Sequence, residues 1–262
     1  MIALRSLAFN IAYYGWTVIC CIGLLWTLVI PRRAMLWALR TFYFRGVHLI
    51  ERVTLGLDYR VTGRQNIPEG PFIVAAKHQS VWETMKLHLL FPDPVIVLKR
   101  ELMFLPIWGW YAAKAKMIPV ERGGRSKAIA SIVAGARQWA IPLGRPIVIF
   151  PQGTRVAAGA SRPYRVGIAA LYEALDIPVL PMALNSGVFW PRRKFLKHSG
   201  TVTVEFLPPI PPGLGRDGFL ERLETELEAA TDRLVVAVGG PATQRDAAAD
   251  PAARENVAQR AD

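Results

Sequence analysis

The chain has 262 residues, 52% of them hydrophobic, and a formal net charge of +12; it is long enough for one full-sized core, and its mean hydropathy of +0.24 points part of it toward lipid. Its two cysteines, Cys20 and Cys21, are adjacent inside an apolar run, which excludes a disulfide framework and metal-ligand spacing. Residues 1–216 hold 27 Lys+Arg against 10 Asp+Glu, a balance that suits anionic lipid, phosphorylated substrates or acidic proteins; nucleic acid is disfavoured because no helix-turn-helix, zinc-finger or RNP-like pattern is present.

Ser6 to Pro31, "SLAFNIAYYGWTVICCIGLLWTLVIP", carries no charge and is long enough as a helix to cross a hydrocarbon core. No small-residue cleavage site closes it, so it reads as a membrane segment and not as a signal peptide. Its scattered tyrosines and tryptophans fit a shallow insertion as well as a crossing. Arg32 to Leu57 is apolar but interrupted by Arg33, Arg40, Arg45 and Arg52, the pattern of a basic amphipathic helix at the interface. Together these predict a two-helix membrane element over residues 1–57 with a turn near Pro31. If the first segment spans, the excess of arginine after it places the rest of the chain on the cytoplasmic side of the inner membrane.

From Tyr59 the texture changes to short β-like runs alternating with helical stretches, which predicts an α/β domain over residues 58–239 with a mixed, mostly buried sheet flanked by helices. "DYRVTG", "PFIVAAK", "PVIVLKR", "MIPVER", "RPIVIFPQG", "IPVLPMAL" and "TVTVEFL" read as strands. Helical composition appears over residues 84–91, 126–140 and 167–174. Residues 217–238 set Phe219, Leu220, Leu223, Leu227 and Leu234 at helical spacing. Residues 240–262 lack apolar anchors and read as a disordered polar tail.

Chemistry concentrates where strands end. In "AAKHQSVWETMK", His78 follows a buried-strand pattern and Glu83 comes five residues later. The two can meet if His78 precedes a helix and Glu83 sits in its first turn; equally, Ser80 to Glu83 has the form of a capping box. In "VIFPQGTRV" an apolar strand runs into a turn where Gly153 allows close backbone approach and Arg155 can fork onto phosphate. "MIPVERGGRSKA" ends another strand with Arg122 and Arg125 around two glycines. "WPRRKFLKHSG" combines aromatics with four Lys or Arg, which suits anionic lipid, an acidic carrier protein or plain solvation. The four histidines and two cysteines form no ligand cluster, so no metal is expected; His48, His88 and His198 read as interface or surface residues.

The ordered series "KHQSVWE", "KRELMFLPIWG", "MIPVER", "FPQGTR" and "IPVLPMALNSG" resembles the glycerophospholipid acyltransferase family over roughly residues 59–210. The resemblance implies a glycerolipid acyltransferase-like domain and acyl transfer from acyl-CoA or acyl-ACP to the sn-2 hydroxyl of 1-acyl-sn-glycerol-3-phosphate, giving phosphatidic acid without a resident cofactor. It further implies that His78 is the general base and Glu83 its partner, and that Lys99, Arg122, Gln152, Gly153, Thr154 and Arg155 shape or bind the substrate site, with Pro181 in a supporting block. Three positions depart from the family pattern. Glu83 stands where aspartate is usual, Lys77 where asparagine is common, and Gln152 where glutamate is expected.

Overall fold

The computed structural model describes residues 1–121 and 125–243. Strands form where short apolar runs lie between turn residues: β1 (Leu57–Thr62), β2 (Ile73–Ala76), β3 (Val95–Lys99), β4 (Ile118–Val120), β5 (Ile147–Ile149), β6 (Val179–Leu184) and β7 (Gly200–Phe206). Among the described residues they make one sheet in the order β1-β7-β6-β2-β5-β3-β4. β2 through β6 run parallel, β7 is antiparallel to β6, and β1 pairs parallel with β7. The sheet is therefore mixed, as the sequence predicts, and the carboxyl ends of five strands share one edge, where ligands of open α/β sheets gather.

The apolar N-terminus folds as α1 (Ile2–Gly23), followed by a 3-10 turn over Leu25–Leu28. Pro31 then precedes a helical rod made of α2 (Arg32–Ala38), a π segment over Leu39–Phe44, α3 (Arg45–Ile50) and a second π segment over Glu51–Leu55. Gly56 ends the rod at φ +64°, the left-handed conformation that glycine adopts without a Cβ penalty. Leu4, Leu7, Ile11, Tyr14, Val18 and Ile22 form an exposed stripe along α1, while Ser6, Phe9 and Cys20 face inward. Both ends of this helix are tied to the α/β body. Near its start, Ser6 Oγ accepts the Lys197 N–H at 3.0 Å and Phe9 meets Trp190 edge-on at 5.0 Å.

The remaining helices are α4 (Trp82–Leu90), α5 (Trp108–Lys114), α6 (Arg125–Trp139), α7 (Gly167–Leu175), the short α8 (Ser186–Phe189) and α9 (Arg216–Val236). Beyond the end of α1, Lys114 of α5 donates to the carbonyls of Thr27 at 3.3 Å and Leu28 at 2.6 Å, and also to that of Ile30. α1 is the one helix among the described residues long and apolar enough to cross a membrane. With contacts at both ends it nonetheless lies along the body over its length, about 33 Å at 1.5 Å per residue.

Strand alternation sends side chains into two cores. Ile73 and Ala75 of β2 face α6, α7 and α9, with Ala136, Leu171 and Leu223 among their neighbours in that layer. Val74 and Ala76 face the other layer, which holds Trp82 and Leu87 of α4 and Phe9 of α1. A sheet covered on both faces needs near-continuous apolar strands, as "FIVAA" and "IPVLPMAL" are. At the far end of α9, Gly240 N–H returns to the Val235 carbonyl at 2.9 Å and Thr243 bonds Asp232. Residues 244–262 of the expected polar tail lie outside the described residues.

Candidate active site

β2 ends at Ala76, and the chain leaves the carboxyl edge through Lys77-His78-Gln79-Ser80 before α4 begins. His78 Nδ1 lies 2.7 Å from Glu83 Oε1, with Glu83 fully buried and the His78 side chain 12% exposed. The same Oε1 accepts the backbone N–H groups of Gln79 at 2.8 Å and Ser80 at 2.7 Å, and Oε2 accepts the Ser186 hydroxyl at 2.7 Å. Ser80 Oγ in turn accepts the Trp82 N–H at 3.2 Å. Helix cap and imidazole partner are therefore not alternatives, because one carboxylate is placed to act as both. A carboxylate on Nδ1 holds the proton there and leaves the Nε2 lone pair as the free, basic position.

The FPQGTR turn is fastened to this pair. Phe150, which follows β5 directly, stacks on the His78 ring with centroids 3.9 Å apart and planes at 20°. The Val156 N–H donates to the His78 carbonyl at 2.8 Å. Gly153 sits at φ +66°, a left-handed conformation that calls for glycine, and a Cβ there would press on the Arg165 side chain, 3.0 Å from Nε. Gln152 is 1% exposed, and neither its Oε1 nor its Nε2 has a hydrogen-bond partner. A buried amide left so costs on the order of 1–3 kcal/mol, the kind of deficit found where a site is built to bind. Thr154 is half-buried in the same turn.

Arg155 is half-buried beside Arg192 and Arg193. Burial pushes its guanidinium below the ordinary arginine value; nearby Glu83 opposes this and the two arginines add to it. Arg192 Nη1 donates to the Arg155 carbonyl at 2.7 Å, which ties the basic stretch after α8 to the turn. A cluster of cations near a histidine–carboxylate pair is a place where an anion is attracted electrostatically. No group of His, Cys, Asp and Glu able to hold a metal occurs among the described residues.

Other expected site residues lie farther out or outside the description. Lys99 ends β3 on the same edge and pairs with Glu101 at 2.7 Å in an exposed position. Arg122 lies outside the described residues; β4 ends two positions before it, at Val120. Pro181 faces Ala75 across the central β2–β6 pair, and its carbonyl accepts the Leu207 N–H at 3.0 Å. His88 is part-buried where α4 meets the N-terminal rod: it stacks on Phe44 at 4.4 Å, and burial lowers its pKa to about 4.

Sequence reasoning missed several partners. Ser186 and Phe150 hold Glu83 and His78, and an aromatic immediately before the FPQGTR proline was the one local signal. Lys77, noted only as a departure, is buried and bonds Glu228 of α9 at 2.6 and 2.5 Å, while the Tyr164 hydroxyl donates to the same carboxylate at 2.7 Å. Lys86, one turn beyond Glu83, is wholly buried and bonds Glu51 Oε2 at 2.5 Å, an oxygen that also accepts Trp82 Nε1–H at 3.3 Å. Residues 77 and 228 are 151 positions apart, beyond the reach of any local pattern.

Fold and site together define a mixed α/β protein with a carboxylate-held histidine and a cationic turn on one sheet edge. The Acyltransferase family model matches residues 58–185, which carry both features, and with a relative 33% identical over most of its length the chain belongs to the acyltransferase family. That relative is the 1-acyl-sn-glycerol-3-phosphate acyltransferase of Pseudomonas aeruginosa, aligned over 207 residues that cover 79% of each chain. A protein of the same name from Saccharomyces cerevisiae is 28% identical over 72% of this chain and 62% of its own. The crystal structure of the 1-acyl-sn-glycerophosphate acyltransferase of Thermotoga maritima superposes with a TM-score of 0.71 at 20% identity, covering 89% of this chain and 99% of that one; at that identity the likeness speaks for the fold.

Proposed function

We propose that this acyltransferase moves a fatty acyl group from an acyl thioester, acyl-CoA or acyl-ACP, to the sn-2 hydroxyl of 1-acyl-sn-glycerol-3-phosphate, forming phosphatidic acid. The observation that carries the reading is the His78 Nδ1 to Glu83 Oε1 contact at 2.7 Å. His78 Nε2 removes the hydroxyl proton as the oxygen attacks the thioester carbonyl; the C–O bond forms, the C–S bond breaks, and the thiolate takes the proton back from the imidazolium. Glu83 stabilises that imidazolium and keeps the ring oriented. No covalent enzyme intermediate is needed, and Ser80, whose Oγ serves the Trp82 N–H, is not a nucleophile here. Arg155, with Arg122 two positions after β4 in sequence, binds the acceptor phosphate, and Gln152, Gly153 and Thr154 shape its seat; Lys99 assists at the rim. The chain works at the inner membrane with its α/β body on the cytoplasmic side, the apolar face of α1 resting in one leaflet.

Gln152 favours one second reading. Its neutral amide, in place of a carboxylate, admits a different lysolipid acceptor such as a lyso-ornithine lipid. The test is acyl transfer by purified protein in lipid, offering lysophosphatidate and lyso-aminolipid with each donor, beside His78→Ala and Glu83→Ala. Phosphatidate from the wild type, lost in both folded variants, is expected. Turnover only on the aminolipid moves the acceptor, and inactivity on every combination removes the enzyme reading in favour of a lipid-binding protein.

A further inference from the structure

The stretch from the end of β3 into α5 turns several apolar side chains outward. Leu102, Phe104, Leu105, Trp108 and Trp110 are all exposed, Phe104 at 73% and Trp110 at 58%. The loop that shows them has a defined shape. Ile107 is held at φ +64°, a conformation rare for a β-branched residue, and the Trp108 N–H closes a tight turn on the Pro106 carbonyl at 2.6 Å. A Cβ on Gly109 would fall 2.0 Å from the Met103 carbonyl oxygen, so the backbone there packs with no spare room. Strain of this kind persists where the surroundings enforce it and commonly accompanies function.

Its position is equally specific. β3 runs parallel to β2 and β5, so the loop leaves the same carboxyl edge as His78 and the FPQGTR turn. Tyr111 of α5, with Ile107 and Ala115 at its two ends, packs on Cys20 of α1, on Leu24 just after it and on Met35 and Leu36 of α2. Lys114 binds the carbonyls at the bend between those helices. The exposed aromatics thus lie beside the apolar surface of α1, and Lys99 with Glu101 and Arg100 with Glu121 form exposed ion pairs at their border. Exposed tryptophans beside an apolar face match the headgroup level of a bilayer.

We propose that the loop over residues 102–110 is a second bilayer-inserting element, contributed by the α/β body itself and separate from the N-terminal helices. Its occupant is lipid: the patch lies beside a helix whose exposed face is apolar, and the charges at its border are paired with one another, so no net charge opposes insertion. Insertion at the two separated places would hold the carboxyl edge of the sheet against the bilayer surface, where an acceptor carrying an acyl chain resides.

The test uses the full chain, with Cys20 and Cys21 replaced by alanine, in vesicles of phosphatidylethanolamine and phosphatidylglycerol. A polarity-sensitive fluorophore is placed in turn at Phe104→Cys, at Ile11→Cys on the exposed face of α1, and at Glu221→Cys on the outer face of α9. Lipids spin-labelled in the acyl chain are expected to quench the labels at 104 and 11 by about twofold or more, since interfacial elements sit roughly 5–10 Å into the acyl boundary, and to spare the label at 221. Quenching at 11 but not at 104 overturns the proposal. If the 104 label is in addition shielded from aqueous iodide, a second copy of the chain covers the patch instead. The readout does not involve turnover, so it stands apart from the proposed acceptor and donor.

Discussion

Two buried carboxylates flank the first turns of α4, and they are satisfied very differently. Glu83 engages both oxygens: a histidine and two backbone amides on one, a serine hydroxyl on the other. Glu51 engages Oε2 with Lys86 and Trp82, while its Oε1 is buried without a hydrogen-bond partner. The contrast separates a carboxylate with both oxygens satisfied from one whose partners, Lys86, Trp82 and the nearby His48, all gather on a single oxygen. Glu83 belongs to the loop it organises, whereas Glu51 reaches across from the π segment that ends the N-terminal rod. Burial also lowers the Lys86 pKa, with Glu51 opposing, so the ion pair is the more exposed of the two arrangements to loss of either partner.

The comparison sharpens under mutation. The largest effect is expected at His78→Ala, with acyl transfer falling by about 10²- to 10⁴-fold, the usual share of a general base, and with little change in thermal unfolding; steady-state rates and a melting curve on the same preparation check it. Next, Lys86→Met strands the Glu51 carboxylate and should destabilise by roughly 3–5 kcal/mol, while the double variant Glu51→Leu/Lys86→Met recovers most of that loss. Denaturation of the two variants side by side decides it; a double variant as unstable as the single would mean that packing, and not charge, governs this contact.

Acid supplies a third test. His88 on α4 has a folded pKa of about 4 from burial, with Asp93 opposing and Arg145 and Arg40 adding to the shift. The unfolded chain, titrating near 6.5, takes up the proton first as pH falls. The stability held at neutral pH should therefore decline between about pH 6.5 and 4, by up to about 3 kcal/mol. In His88→Gln that part of the slope should vanish, as unfolding measured across this pH range would reveal. The smallest effect is expected at Ser186→Ala, which removes the partner of Glu83 Oε2 and should cost about 1–3 kcal/mol, with a modest fall in turnover. A Ser186→Ala protein of unchanged stability would show that Oε2 finds another donor.

Much of the body was legible because its strands are short apolar runs bounded by turn residues: β2 to β6 fall within the segments read as strands, and β1 and β7 each begin one residue earlier. The edge that gathers His78 and the FPQGTR turn followed from the same pattern. α5 was not legible: Pro106 and the aromatic-rich "LPIWGW" obscure any helical period, and the helix is short. Nor were the π segments, since one extra residue per turn leaves no compositional mark in "LRTFYF" or "ERVTL". At the site, the five-residue spacing allowed the His78–Glu83 contact but did not require it. Lys86 with Glu51 and Lys77 with Glu228 are set by tertiary packing, and burial of a lysine is the rarer outcome for that residue type.

Glu83 Oε1 serves the imidazole and the Gln79 and Ser80 amides that lead into α4 at once, so the readiness of the base and the order of the helix entry are a single local event. If that entry frays, the histidine loses its orienting partner while every strand stays paired. Heat inactivation should accordingly set in at a lower temperature than loss of the sheet, and turnover becomes a sensitive gauge of local order at the head of α4.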